Sequence, residues 1–322
     1  MSVKYSIIIP VKEINDYVRE NIFKIHAEKR SDIEIIVLPN NHGDYSITGV
    51  QFHKTGKVSP GKKRDLGAKI AKGQWLVFLD DDSYPDIGYF GILDQLIQAQ
   101  PSIAYGGPGV TPVENSFWQQ VSGAVFLSKW SGGAPERYIS YPISKFVDDW
   151  PSVNFVINKM IFNEIGGFNT DYWPGEDTFL CEKLVNKKYK ILYSHELIVY
   201  HHRREGLLKH LKQVGNYGLH RGHFFRINLS NSRKLKYLIP SIFVLVSIVG
   251  IIQLLFGFWN DYSTLIMYIY IIAIGLAVID ITKLKNIMVA LCTLPYIILT
   301  HFSYGIMFLF GLTKKKLKSK LR

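Results

Sequence analysis

Residues 75–85 read WLVFLDDDSYP. Five apolar residues in succession, Trp75 to Leu79, suit a strand buried on both faces of a sheet. Three carboxylates, Asp80, Asp81 and Asp82, then close it. Like charges this close raise one another's pKa unless something positive sits among them. Either the run splays into water as an acidic turn capping the next helix, or it holds a cation.

Two similar runs lie upstream. Tyr5–Ile9 (YSIII) and Glu34–Leu38 (EIIVL) are short and β-branched, and Ile14, Val18, Ile22 and Ile25 between them keep helical spacing. Lys62–Lys72 carries Leu66 and Ile70 on one face. Apolar strands alternating with helices predict an α/β fold, a mostly parallel sheet covered on both sides. Such sheets bind ligands outside the carboxyl ends of their strands, and Asp80–Asp82 sit at one such end. Farther on, AYGGPGVTP (104–112) reads as turns, and YKILYS (189–194) with ELIVYHH (196–202) reads as a strand pair.

The 322-residue chain changes character near residue 230, which predicts a catalytic domain over 1–230 and a membrane domain over 231–322. Three apolar segments follow, 238–258, 262–279 and 287–312; the first would be about 31 Å long as a helix, enough to cross a bilayer. Basic residues precede the first (Arg233, Lys234, Lys236), follow the second (Lys283, Lys285) and form the tail from Lys314. Positive charge favours the cytosolic side, so two crossings are expected, with the third segment dipping in and returning near Pro295. The expected location is the cytoplasmic (inner) membrane, with the catalytic domain facing the cytosol. The opening MSVKYSIIIP is too short for a signal-peptide core. Two distant cysteines, Cys181 and Cys292, supply neither a disulfide framework nor zinc-ligand spacing. A net charge of +12 points to anionic partners, and its concentration beside the apolar segments favours lipid and phosphate over nucleic acid. In 206–230, Leu207, Leu208, Leu211 and Val214 form an apolar stripe beside Lys209, Lys212, Arg221 and Arg226, the pattern of an interfacial helix or of a domain-closing one.

Hard divalent cations, Mg²⁺ or Mn²⁺, are commonly held by one or two carboxylates together with substrate phosphates. Asp80 and Asp82 on a strand-end loop suit that role. SPGKKRDLGA (59–68) places Lys62, Lys63 and Arg64 at a helix start, where a diphosphate or plain solvent would suit them. In WPGEDTF (173–179), Glu176 and Asp177 open a helix after a Pro-Gly turn, as a site or as a dipole complement. In YHHRR (200–204), alternation along a strand sends His201 and His202 to opposite faces, so one at most faces the site.

The order SIIIPVKE, EIIVLPN, SPGKKRDLGA, WLVFLDDDSYP, GGFNTDYWPGED, VYHHRR resembles a family 2 glycosyltransferase of the GT-A fold over roughly residues 3–225. HFSYGIMFLFGL (301–312) is similar to the membrane portion of bacterial members that build surface polysaccharide. The resemblance implies inverting transfer from a nucleotide sugar, UDP- or GDP-linked, to a lipid-linked or saccharide acceptor at the membrane. It places Pro10, Asn40, Lys62, Arg64, Asp80 and Asp81 at the donor, Asp82 and His201 or His202 at the metal, and Asp177 as general base. Asn154, Trp173, Glu176 and Arg221 make the candidate acceptor region. Two departures stand out. The second strand ends in Pro39 and Asn40 where the family usually has aspartate, and KQVGNYGLHRGHF (212–224) lacks the Q-x-x-R-W of processive members. Single addition is therefore expected. Alternatives are a polyprenyl-phosphate glycosyltransferase, a nucleotidyltransferase (whose G-x-G-T-R-L loop is replaced here by IIIPVKEIN), and a membrane-anchored nucleotide-sugar-binding protein without turnover.

Overall fold

The computed structural model describes residues 2–41, 43, 45–258 and 260–317; the end of the basic tail, 318–322, lies outside them. Its strands are β1 (Tyr5–Pro10), β2 (Ile33–Leu38), β3 (Val50–Phe52), β4 (Trp75–Leu79), β5 (Ser83–Pro85), β6 (Ala104–Gly106), β7 (Gly109–Val110), β8 (Lys145–Val147), β9 (Asn154–Asn158), β10 (Ile191–Tyr193) and β11 (Val199–His201). Its α-helices are α1 (Asp16–Ala27), α2 (Pro60–Ile70), α3 (Tyr89–Ala99), α4 (Phe117–Ala124), α5 (Lys159–Glu164), α6 (Glu176–Asn186), α7 (Leu207–Arg226), α8 (Ile239–Leu255), α9 (Asp261–Thr282) and α10 (Ile287–Thr313). They divide into two compact units, one of 1–110 and 139–202, the other of 111–138 and 203–317.

In the first unit the three apolar runs of the sequence become neighbours. The eight-stranded sheet has the order β3-β2-β1-β4-β9-β6-β10-β8. β1 pairs in parallel with β2 and with β4, so Pro10 lies opposite Leu38 and Ile8 opposite Phe78. The carboxyl ends of β1, β2 and β4 thus open on one edge. Every residue of β1 and β4 is buried, as expected for strands sandwiched between helices. One side of the sheet packs Val18, Ile22 and Ile25 of α1 with Phe90, Leu93 and Leu96 of α3, while the other packs Ala68 of α2 with Leu180 and Leu184 of α6. β9 enters antiparallel to both β4 and β6, which makes the sheet mixed.

The strands near 190–201 do not pair with each other. β10 joins the large sheet beside β6, whereas β11 crosses to a three-stranded sheet, β5-β11-β7. The stretch read as turns supplies a strand to each sheet, β6 and β7. In the small sheet β11 runs antiparallel to β5, with His201 opposite Ser83.

In the second unit α9 and α10 are each long and apolar enough to cross a membrane. α8 is apolar but has 17 residues, about 25 Å, less than the sequence run promised. α10 continues unbroken through Pro295, so the chain does not double back there. Helices α7 and α10 pack closely in parallel. A Cβ on Gly218 or Gly222 would collide with the backbone of Tyr304 or Phe308, and one on Gly311 with the backbone of Leu219. Small residues allow that approach, as between membrane helices. Polar ties flank the stripe: His210 Nε2 meets Thr300 Oγ1 at 2.8 Å, and Ser303 Oγ donates to the Leu211 carbonyl at 2.9 Å.

Candidate active site

The three carboxylates that close β4 are separated by a tight turn. Ser83 donates to the Asp80 carbonyl through its backbone N–H at 3.3 Å and its hydroxyl at 2.9 Å, and Asn21 Nδ2 reaches the same carbonyl at 3.4 Å. Two of the carboxylates meet a basic side chain directly. Asp80 accepts from Arg64 Nη2 at 2.5 Å, and Asp82 Oδ1 lies 3.2 Å from His201 Nε2. Burial lowers the pKa of Lys63 to about 8, and the charge of Asp81 only partly opposes that. Arg64 thus offsets the charge of Asp80 directly, while Asp82 has the His201 imidazole beside it.

Arg64 is the hub. It is 2 % exposed and also donates from Nη1 to Glu176 Oε1 at 2.9 Å, joining β4 to the first turn of α6. Burial works against its charge, but Asp80, Glu176 and Asp177 more than offset that, and its pKa is raised. Glu176 is buried, and burial followed by the charge of Asp177 outweighs Arg64, pushing it up to about 7. The approach of α2 to α6 uses Gly61, where a Cβ would press on the Cβ of Glu176 at 3.3 Å. The turn into α6 uses Gly175 at φ 107°, a left-handed conformation that glycine adopts without a Cβ penalty. Asp177 is half-buried in the first turn; its Oδ1 accepts from the Thr178 N–H at 2.8 Å, and the Ser152 N–H approaches Oδ2 at 3.4 Å.

Asp80, Asp82 and His201 place one ligand atom each within 4.8 Å of one another. Two carboxylate oxygens and one imidazole nitrogen suit Mg²⁺ or Mn²⁺, which accept oxygen donors and, for Mn²⁺ more readily, nitrogen. The two histidines separate as strand alternation predicts. His202 turns away, its Nε2 2.9 Å from Glu20 Oε2 and its ring stacked on Tyr17 at 4.4 Å. His201→Ala should therefore weaken Mn²⁺ binding about 10- to 100-fold, with His202→Ala close to wild type, as read by calorimetric titration of the metal.

The remaining candidates are dispersed. Pro10 ends β1 and is buried; Asn40 follows β2, half-buried, with its Oδ1 2.6 Å from Lys63 Nζ. Lys62 pairs with Asp171 at 2.6 Å on the surface. Trp173 is half-buried beside the α6 turn. Asn154 corrects an expectation: it is fully buried, its Nδ2 donating to the Leu197 carbonyl at 2.6 Å and its Oδ1 accepting from Tyr89 at 2.8 Å, so it braces the core and does not face an acceptor. Arg221 belongs to the second unit, with Nη1 3.0 Å from Ser232 Oγ and its guanidinium over the Tyr237 ring. Sequence reasoning did not foresee that Glu176 would be the partner of Arg64, or that Lys63 would be buried. On an 11-residue helix with basic residues in a row, only packing decides which one turns inward.

Comparison with known proteins gives the same reading. Residues 6–166 match the family described as Glycosyl transferase family 2. Over 311 residues (93% of this chain and 90% of the relative) the chain is 22% identical to a Methanococcus voltae protein named dolichyl N-acetyl-alpha-D-glucosaminyl phosphate 3-beta-D-2,3-diacetamido-2,3-dideoxy-beta-D-glucuronosyltransferase. Its fold is similar to the mannosyltransferase PcManGT from Pyrobaculum calidifontis, solved with GDP-Man and Mn²⁺ (TM-score 0.64, 12% identity, 98% of this chain and 89% of that one). It is also similar to GalNAc-T7, solved with UDP, GalNAc and Mn²⁺ (TM-score 0.51, 15% identity, 74% and 50%). With the Asp80–Asp82–His201 cluster at the edge of a sheet of the GT-A type and the family matched over residues 6–166, this chain is a family 2 glycosyltransferase.

Proposed function

We propose that the protein transfers a sugar, with inversion, from a UDP- or GDP-linked donor to a hydroxyl of a lipid-linked saccharide, using Mg²⁺ or Mn²⁺. The observation that carries this reading is the Asp80–Asp82–His201 cluster beside the Arg64–Glu176 pair and Asp177. A divalent ion there supplies charge neutralisation to the departing diphosphate. Asp177 takes the proton from the acceptor hydroxyl as its oxygen attacks the anomeric carbon on the face opposite the leaving group. Arg64, held by two carboxylates, keeps Asp80 oriented toward the donor. The acceptor class is supported by the archaeal relative, whose name specifies a dolichyl-phosphate-linked sugar, and the metal by the Mn²⁺ in both solved neighbours. The test is transfer by the purified protein in lipid vesicles carrying lipid-linked saccharides, with a panel of nucleotide sugars. Metal-dependent transfer with the opposite anomeric configuration by NMR is expected. Transfer undiminished by EDTA, or with retention, sinks the reading.

We also infer that the apolar helices anchor the protein in the cytoplasmic membrane with the catalytic unit in the cytosol. α7 carries Lys209, Lys212, Arg221 and Arg226 along the second half of α10, which supports keeping that half at the membrane surface and leaving α8 and α9 to cross. Tags at the two termini should then be digested together by protease added to the cytosolic side. Protection of the C-terminal tag alone would mean a third crossing.

A further inference from the structure

Asp65 and Lys183 are half-buried charges that no step of the proposed transfer uses. Asp65 follows Arg64 on α2, and Lys183 lies in the last turn of α6. Between them passes the turn 166–169, in which Gly166, Gly167 and Asn169 all have positive φ. The N–H groups of Phe168 and Asn169 donate to Asp65 Oδ1 and Oδ2 at 2.8 and 2.9 Å. From the other side, Lys183 Nζ donates to the carbonyls of Gly167 and Phe168 at 2.7 and 2.9 Å. The turn thus presents its donors to an anion and its acceptors to a cation. The approach is close: a Cβ on Gly167 would come within 2.5 Å of Asp65 Oδ1. Burial raises the pKa of Asp65 and lowers that of Lys183, and each charge partly offsets that effect for the other.

The held turn leads to the candidate base. Phe168 is fully buried, its ring edge-on to Phe78 of β4 at 5.2 Å and 5.6 Å from the Arg64 guanidinium that lies over it. Residues 170–175 then run exposed or half-buried to Glu176, which Arg64 grips at 2.9 Å, and to Asp177. Consecutive residues of one helix therefore fix both ends of this segment, Asp65 its start and Arg64 its end, and Arg64 also holds Asp80. We propose that Asp65, together with Lys183, is a positioning residue for the general base: by pinning the turn at 167–169 it sets where the Asp177 carboxylate stands against the attacking hydroxyl. This rests on the reading of Asp177 as base and adds what keeps it in place. Ordering residues 170–175 costs conformational entropy, which the bonds to Asp65 and Lys183 offset at the end that Arg64 does not reach. A base must lie within hydrogen-bond reach of the proton it takes, and a misplacement of about 1 Å can cost roughly 10²-fold in rate.

The test is a double-mutant cycle on the full-length protein, with transfer from a radiolabelled nucleotide sugar measured in lipid vesicles and binding of UDP and GDP with Mn²⁺ measured by calorimetry. Asp65→Asn keeps the shape but turns an NH₂ group toward one of the two N–H groups. It should lower kcat about 10- to 100-fold while nucleotide binding stays within about threefold of wild type. In the Asp177→Asn background, where no base is left to misplace, the same substitution should cost about threefold or less. Lys183→Met keeps a side-chain stem beside Phe179 and releases the two carbonyls, and it should repeat the pattern with a smaller loss. Circular dichroism checks the fold of each variant; an unfolded Asp65→Asn leaves Lys183→Met to decide. A merely structural role would cost transfer equally in both backgrounds. Equal losses, an undiminished kcat, or a parallel loss of nucleotide binding overturns the inference and leaves Asp177 as the base. Full transfer by Asp177→Asn alone overturns the base itself.

Discussion

Asp177→Asn should lower kcat for sugar transfer about 10²- to 10⁴-fold while nucleotide binding stays within about twofold of wild type. The amide keeps the size and the acceptor oxygen that holds the Thr178 N–H, so the first turn of α6 is preserved. What it cannot do is accept the proton of an attacking hydroxyl. The result also distinguishes acceptor classes. A polyprenyl phosphate is already ionised and needs no base, so full activity of Asp177→Asn toward such a phosphate would replace the saccharide hydroxyl with a phosphate oxygen as the nucleophile. Steady-state kinetics with both acceptors, beside nucleotide titration of the same sample, decides the matter.

Arg64→Met should cost about 3–5 kcal/mol of stability and abolish detectable transfer, because it strands the buried Glu176 carboxylate and releases Asp80. The pH dependence has a definite sign. With its pKa above the unfolded value, Glu176 makes the native state the better proton binder, so its contribution to stability falls as pH climbs from the ordinary carboxylate range through about 7. Without Arg64 that pKa moves higher still, and the loss extends to higher pH. Urea unfolding of the variant should therefore show most of its deficit at neutral pH and recover toward pH 5, with Glu176→Gln in the same background flattening the profile. A deficit independent of pH would mean that the guanidinium stabilises by packing over the Phe168 ring, not by charge.

Much of the first unit was legible in the sequence because its signals are local. A run such as Trp75–Leu79 can be satisfied only between two covered faces, and the acidic stop after it needs no long-range information to be noticed. That His201 and His202 would face opposite ways was legible for the same reason, since side-chain alternation is a property of any strand; which of them would join the aspartates was not. Pairing partners were not. Ile191–Tyr193 and Val199–His201 have the spacing of a hairpin, yet the Ser194 N–H donates to the Gly106 carbonyl while His195–Ile198 carries the chain to the other sheet. Only the preference of β10 for β6 and of β11 for β5 decides that, and both partners lie far away in sequence. Asn154 failed in a related way: a polar residue at a strand end looks like a ligand until its amide is found bracing Leu197 and Tyr89.

The pairing of Ser83 with His201 has a consequence for synthesis. When the ribosome has made β4 and its acidic stop, Arg64 and Lys63 have already emerged, but the imidazole for Asp82 has not. It arrives with β11, one of the last elements of the first unit and still ahead of the first apolar helix at Ile239. Every side chain of the Asp80–Asp82–His201 cluster is thus encoded before the first apolar helix. The translation order lets the nascent first unit gather this set of side chains before the apolar helices of the second unit emerge.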